Sequence, residues 1–207
     1  MNKINYDVFK NLCVVSAPSG AGKTSLIKKI CSHEKISVSV SETTRKPRKG
    51  ETNGADYIFI DESEFLLRLK KEIYIEHALV HGNYYGTSIN SVSQLLNKDK
   101  VVILEIDYQG AEIIKTRFPL SRHIFVLPPS LEILENRLRE RGTDTEDVIL
   151  ERLENAKIEL SKASNYDYIF INADFELAEN KLLSYVLDVD MNIDEKKRKE
   201  PLIDKGF

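Results

Sequence analysis

The ten residues Ser16-Ala17-Pro18-Ser19-Gly20-Ala21-Gly22-Lys23-Thr24-Ser25 constrain this chain more than any other stretch. The apolar run Leu12-Cys13-Val14-Val15 leads into them, and Leu26, Ile27, Ile30 and Cys31 follow at helical spacing. Strand, glycine-rich turn and helix in that order is the setting of a phosphate-binding loop. Gly20 and Gly22 permit a tight turn whose N–H groups approach an anion, and the helix behind turns its positive end to the same point. Lys23 adds a full charge for terminal phosphates, and the Thr24 hydroxyl suits a magnesium shell. The strict pattern opens on glycine; Ala17 stands there instead, which asks only that its φ stay negative. A chance glycine-rich turn is the competing reading, and the flanking strand and helix argue against it. The loop by itself specifies a nucleoside phosphate and names no acceptor.

Two hundred and seven residues suit one α/β domain with small insertions. A net charge of −3 gives no electrostatic reason to expect nucleic acid or an anionic membrane as partner. Cys13 falls in a predicted strand and Cys31 in a predicted helix, so no disulfide framework is expected and a reducing cytoplasm fits. No basic start precedes a long apolar stretch, so no signal peptide is expected, and no run approaches the ~20 apolar residues of a membrane span.

Periodicity orders the rest. Ile36 to Ser41 alternates strictly and predicts a half-buried strand with serines on one face. Glu42 to Gly54 is polar with proline and glycine and predicts a loop. Tyr57–Ile60 and Ile73–Val80 predict strands, separated by a helix with Asp61 as N-cap and Phe65, Leu66 and Leu69 on its apolar face. His81 to Thr87 predicts a turn. Val101 to Asp107 is a near-continuous apolar strand, as in a sheet covered on both faces. After it come a helix over 109–118, a strand over 123–127, a helix capped by Ser130, a break at Gly142 to Thr145, a helix over 146–161, a strand over 167–172 and a helix from Asp174 to Leu187. The charged tail from Asp190 predicts a solvated end.

Four groups of side chains carry chemistry. Arg45 and Arg48, three apart on a loop stiffened by Pro47, can clamp a second phosphate, with hydroxyls from Tyr57 and Tyr85. The competing readings are a solvated basic loop and tyrosines packed in the core. Glu76 offers one carboxylate to two adjacent donors, which guanine presents and adenine lacks; Ser41 and Thr87 add hydroxyls. Without that context Glu76 reads as a surface strand residue. Glu105 and Asp107 end the apolar strand, where ligands bind in open parallel sheets, and alternation sends both the same way. One suits the water shell of magnesium and the other the acceptor nucleotide. Arg137 and Arg141 lie one helical turn apart, with Arg152 beyond the break; they suit a flap that neutralises polyphosphate charge. A surface helix salt-bridged through Glu135, Glu140 and Glu151 is the alternative. His33, His77, His81 and His123 show no metal-ligand spacing and read as structural or surface residues.

The sequence resembles the guanylate kinase family. The resemblance rests on Ser16 to Ser25, Ser39-Val40-Ser41-Glu42-Thr43-Thr44-Arg45-Lys46-Pro47-Arg48, Gly50-Glu51-Thr52-Asn53-Gly54-Ala55-Asp56-Tyr57, Gly82-Asn83-Tyr84-Tyr85-Gly86-Thr87, Leu104-Glu105-Ile106-Asp107-Tyr108-Gln109-Gly110 and Arg137-Leu138-Arg139-Glu140-Arg141-Gly142-Thr143-Asp144. It runs from about residue 11 to 187. It implies an α/β fold: a P-loop kinase core with a parallel sheet flanked by helices (1–36, 96–136 and 165–189), a small mixed α/β GMP-binding insertion (37–95), and a helical lid with its following helix (137–164). The tail 190–207 is outside it.

By that resemblance ATP meets Ala17, Pro18, Ser19, Gly20, Ala21, Gly22, Lys23, Thr24 and Ser25, with Asn172 near adenine. Arg45, Arg48, Tyr57 and Tyr85 would hold the GMP phosphate, and Ser41, Glu76, Thr87 and Asp107 the guanine. Lys23, Arg45, Arg137, Arg141 and Arg152 would carry catalysis, with Mg2+ on Thr24 and, through water, Glu105. Thr87 stands where serine is common. The implied reaction moves the γ-phosphoryl of ATP to GMP in the cytoplasm, with no nucleic acid or membrane partner. A homo-oligomer is compatible with the sequence. Two alternatives stand beside it: a non-catalytic module like those of membrane-associated scaffold proteins, against which Gly22-Lys23-Thr24 argues, and a sister kinase of another monophosphate, against which Glu76 and the arginine loop argue.

Overall fold

A computed structural model describes residues 6–80, 82–140, 142 and 145–187. A 3-10 turn at Tyr6–Asn11 leads into β1 (Leu12–Ser16), α1 (Lys23–Ile30), β2 (Ile36–Val38), β3 (Glu42–Thr43), β4 (Ile58–Phe59) and α2 (Glu62–Lys70). There follow β5 (Tyr74–Val80), β6 (Asn83–Ser88), α3 (Ile89–Leu96), β7 (Val101–Glu105) and α4 (Tyr108–Arg117). The chain continues through β8 (Arg122–Leu127), α5 (Leu131–Glu140), α6 (Glu146–Ser161), a second 3-10 turn (Ala163–Asn165), β9 (Tyr168–Ile171) and α7 (Phe175–Leu187). A five-stranded sheet has the order β2-β7-β1-β8-β9, and a four-stranded sheet the order β4-β3-β6-β5. β1 and β9 are buried at every position, the apolar run a sheet covered on both faces requires.

The chain divides into two compact units. One comprises the residues up to Cys13 with Lys35–Ser121. Here β2 pairs with β7 in parallel, Ile36 opposite Val101. In the small sheet β3 runs parallel to β4 and antiparallel to β6, and β5 and β6 form a hairpin closed at Val80 and Asn83. A register shift falls between Tyr74 and Glu76, the kind of irregularity that re-aims a side chain, and Tyr74, Ile75 and Glu76 are all buried. Phe65 of α2 stacks on Tyr74 and Tyr84, with ring centroids 4.6 and 5.2 Å apart. Behind β3, buried Glu42 accepts from the Tyr74 hydroxyl at 2.5 Å and from Arg68 Nη1 at 2.6 Å.

The other unit comprises Val14–Glu34 and the described residues from Arg122 onward. β8 and β9 pair in parallel, Ile124 opposite Tyr168. Leu134 and Leu138 of α5 are fully buried, and Tyr185 of α7 stacks on Tyr168 at 4.5 Å.

Local caps form as the sequence predicts: Asp61 accepts from Glu64 N, Ser130 Oγ from Ile133 N, and Asp174 from Leu177 N. Four expectations are corrected. The strand expected over 36–41 stops at Val38, and its serines turn inward: Ser39 and Ser41 are buried, each within reach of another hydroxyl. The expected loop at Glu42 opens with strand β3, because β4 and β6 supply partners. The expected turn over 81–87 holds strand from Asn83, since β5 offers it an antiparallel edge. Asp107 does not end a strand beside Glu105; β7 stops at Glu105 and Asp107 is the N-cap of α4. Among the described residues no helix is long and apolar enough to cross a membrane.

Candidate active site

In the second unit β1 ends at Ser16 and α1 begins at Lys23, with the glycine loop between them. Gly20 and Gly22 have φ of 96° and 90°, in the left-handed region, while Ala17 is not among the positive-φ residues. The loop is thus shaped by the two glycines that need the freedom, and the alanine sits where it costs nothing. Ala21 N donates to Pro18 O at 3.0 Å, closing the turn. The first N–H groups of α1 follow Gly22, which has no side chain to cap them, and the start of a helix is where an anion is favoured. Lys23 is half-buried, and Thr24 and Ser25 are exposed.

Three other predicted side chains of this unit converge on the loop. Arg152 is buried in α6, and its Nη1 donates to Ser19 Oγ at 3.0 Å. Asn172, buried at the end of β9, donates from Nδ2 to Ala21 O at 2.8 Å. Its amide therefore fastens the loop from below, beside Gly22, where a Cβ would collide with it. Arg137 lines a cavity of about 390 Å³ with Gly20, Gly22, Ser25, Asn172 and Phe175. The salt-bridged helix face belongs to its neighbour: Arg139 pairs with Glu135 at 2.7 Å and with Glu146. Arg141, His81 and the tail 190–207 lie outside the described residues.

In the first unit the predicted residues form two clusters. Arg45 pairs with Glu51 at two points, Nη2 to Oε1 at 2.8 Å and Nη1 to Oε2 at 3.0 Å. Its Nε donates to the Tyr85 hydroxyl at 3.1 Å, and its guanidinium lies 5.4 Å from the centre of the Tyr57 ring. Burial, reinforced by the charge of Glu105, pushes the Tyr57 hydroxyl up to about 12. Arg48 is exposed; its backbone N–H donates to Glu51 at 2.6 Å. Burial works against a charge on Glu51, but the bonds from Arg45 and Arg48 outweigh it and hold its carboxyl below the usual range.

The second cluster is a relay of hydroxyls onto an acid. Thr87 Oγ1 donates to Glu76 Oε1 at 2.5 Å, and Ser41 Oγ lies 2.9 Å from Thr87 Oγ1. Thr87 has one proton and gives it to Glu76, so Ser41 is the donor to Thr87. Glu76 is 2% exposed. Burial, then the neighbouring charge of Asp107, raises its carboxyl to about 7, against the opposing bond from Thr87. Asp107 accepts from Gly110 N and Gln109 Nε2, both at 3.0 Å. Glu105, half-buried, closes β7.

Sequence reasoning gave no role to Glu51 or Gly110. Glu51 had a local signal, six residues after Arg45 in the same loop. Gly110 had none, because its neighbour Glu76 comes from β5, more than thirty residues earlier in the chain.

Strand, glycine loop and helix in this order form the phosphate-binding arrangement of P-loop proteins, and the small mixed sheet carries a buried acid and an arginine loop. Comparison makes this specific. A sequence model of guanylate kinase matches residues 9–192. Over 198 residues the chain is 43% identical to the guanylate kinase of Escherichia coli K12, covering 94% of this chain and 96% of that one. It is 46% identical over 178 residues to that of Salmonella typhimurium LT2, covering 84% and 86%. The crystal structure of guanylate kinase from Anaplasma phagocytophilum superposes with a TM-score of 0.72 at 34% identity, over 88% of this chain and 87% of that one. The chain belongs to the guanylate kinase family, and its enzyme class is that of the family.

Proposed function

We propose that the chain transfers the γ-phosphoryl group of ATP to GMP, giving ADP and GDP, in the cytoplasm. The observation that carries the reading is Glu76: a buried carboxylate in the small sheet, backed by the Thr87 and Ser41 hydroxyls, an acid that the paired donors of guanine can satisfy and adenine cannot. The arginine loop supplies the rest of the acceptor site, with Arg45, Arg48, Tyr57 and Tyr85 for its phosphate and Asp107 at the base. The donor site is the loop from Ala17 to Ser25, with Asn172 behind it. In these terms the chain comprises a core (1–36, 96–136, 165–189), a GMP-binding insertion (37–95) and a lid with its following helix (137–164).

The reaction forms one P–O bond to GMP and breaks the one to ADP, without a covalent enzyme intermediate. The protein's part is positioning and charge neutralisation by Lys23, Arg45, Arg137, Arg141 and Arg152. Among the described residues no group of three or more acidic, histidine or cysteine side chains can hold a metal. A hydroxyl and one carboxylate with phosphate oxygens is the donor set that suits Mg2+; Thr24 would supply the hydroxyl and Glu105, through water, the carboxylate. When bound, Mg2+ would supply charge stabilisation to the transferring phosphate.

A coupled assay with ATP and GMP, AMP, UMP or dTMP tests the reading. Turnover with GMP far above the other three supports it. Equal turnover with another monophosphate favours the sister kinase, and none with any favours the binding module.

A further inference from the structure

Gly110 is the third residue of α4, and it is buried. Its φ is not positive, so its backbone makes no demand for glycine. Its N–H is capped by Asp107 Oδ1, and any residue but proline supplies that N–H. Glycine inside a helix is disfavoured against alanine, so another contact must explain it. A Cβ built on Gly110 would lie 2.5 Å from Glu76 Oε2 and 3.2 Å from the Glu76 carboxyl carbon. It would also meet Ile106 Cδ1 at 3.2 Å, but that is the far end of a flexible side chain. The carboxylate cannot move aside as easily, because its other oxygen is held by Thr87 at 2.5 Å.

One residue therefore touches both acids assigned to the base. Its N–H fixes Asp107 through Oδ1, and its missing side chain is the space into which Glu76 Oε2 fits. We propose that Gly110 is a positioning residue for guanine selectivity: it sets where the Glu76 carboxylate stands relative to Asp107. Gly110 is not a catalytic residue, since it touches substrate only through the acids it places. This inference rests on the proposed role of Glu76.

The test is a double-mutant cycle, Gly110→Ala with Glu76→Ala, read as KM and kcat for GMP and for IMP. IMP lacks the exocyclic amine, so one of the two donors is gone. Gly110→Ala should raise the KM for GMP about tenfold and leave kcat within about threefold, since one misplaced polar contact is lost and the phosphates are untouched. The preference for GMP over IMP should shrink by a similar factor. In the Glu76→Ala background the same glycine change should have no effect on that preference. Unchanged KM and preference in folded Gly110→Ala would overturn the proposal, as would an equal effect with and without Glu76. If Glu76→Ala itself leaves the preference intact, the guanine site has been misread, and the failure lies there rather than at Gly110.

Discussion

Arg45 and Glu51 form a two-point ion pair, 2.8 and 3.0 Å, inside one loop, and the same carboxylate takes the Arg48 backbone N–H at 2.6 Å. The guanidinium is further tied to the Tyr85 hydroxyl and the Lys46 carbonyl. The long side chain proposed to hold the GMP phosphate is thereby already fixed by its own loop.

Glu51→Ala is expected to raise the KM for GMP about fivefold to tenfold, the ~1 kcal/mol of ordering one long side chain. The KM for ATP should not change. Steady-state kinetics with each substrate varied in turn checks this; a lower KM for GMP would mean that Glu51 competes with the phosphate instead of orienting its ligand.

Glu76 should make both stability and GMP binding depend on pH. Its carboxyl titrates at 4.5 when free and at about 7 in the fold. Between those values the folded chain keeps a proton that the unfolded chain has lost. Stability therefore falls as pH rises from about 4.5 to about 7 and is level above, by about 3 kcal/mol in all. Urea unfolding across that range should show the fall in the wild type and not in Glu76→Gln. Guanine donors require the ionised acid, so the KM for GMP should drop about tenfold from pH 6 to pH 8, beyond any change seen in Glu76→Gln. A pH profile identical in the two proteins contradicts this.

Lys23→Met should lose turnover by about a thousandfold while the protein remains folded, as expected when a preorganised charge on the transferred group is removed. Circular dichroism and single-turnover assays check both halves; an unimpaired rate would remove Lys23 from the mechanism.

Glu42 anchors α2 to the small sheet. Glu42→Ala leaves the Tyr74 hydroxyl without its acceptor and takes one of the two carboxylates from Arg68, which keeps Glu64 at 2.6 Å. The expected cost is about 2–3 kcal/mol, measured by urea denaturation. A loss below ~0.5 kcal/mol would show that α2 is held by Phe65 packing alone.

What was legible in the sequence was local. The glycine loop declares itself within ten residues, and Asp61, Ser130 and Asp174 cap helices through bonds only three residues long. What was misread depends on distant partners. Asn83 to Thr87 looks like a turn until β5 lies beside it. Ser39 and Ser41 follow an alternating pattern, yet they turn inward because Ser91 and Thr87 meet them there. Asp107 continues the strand by pattern, but its carboxylate finds Gly110 N and starts a helix. Glu42 reads as a loop acid and is buried because Tyr74 and Arg68, some thirty residues on, satisfy it.

The most direct measurement is kcat/KM for GMP and for AMP, in the wild type and in Glu76→Ala. A strong GMP preference in the wild type should collapse in the variant, chiefly through a weaker reaction with GMP, since a buried carboxylate is what AMP cannot satisfy. A variant that still selects GMP over AMP as well as the wild type does would contradict the reading of Glu76 and, with it, of the acceptor site.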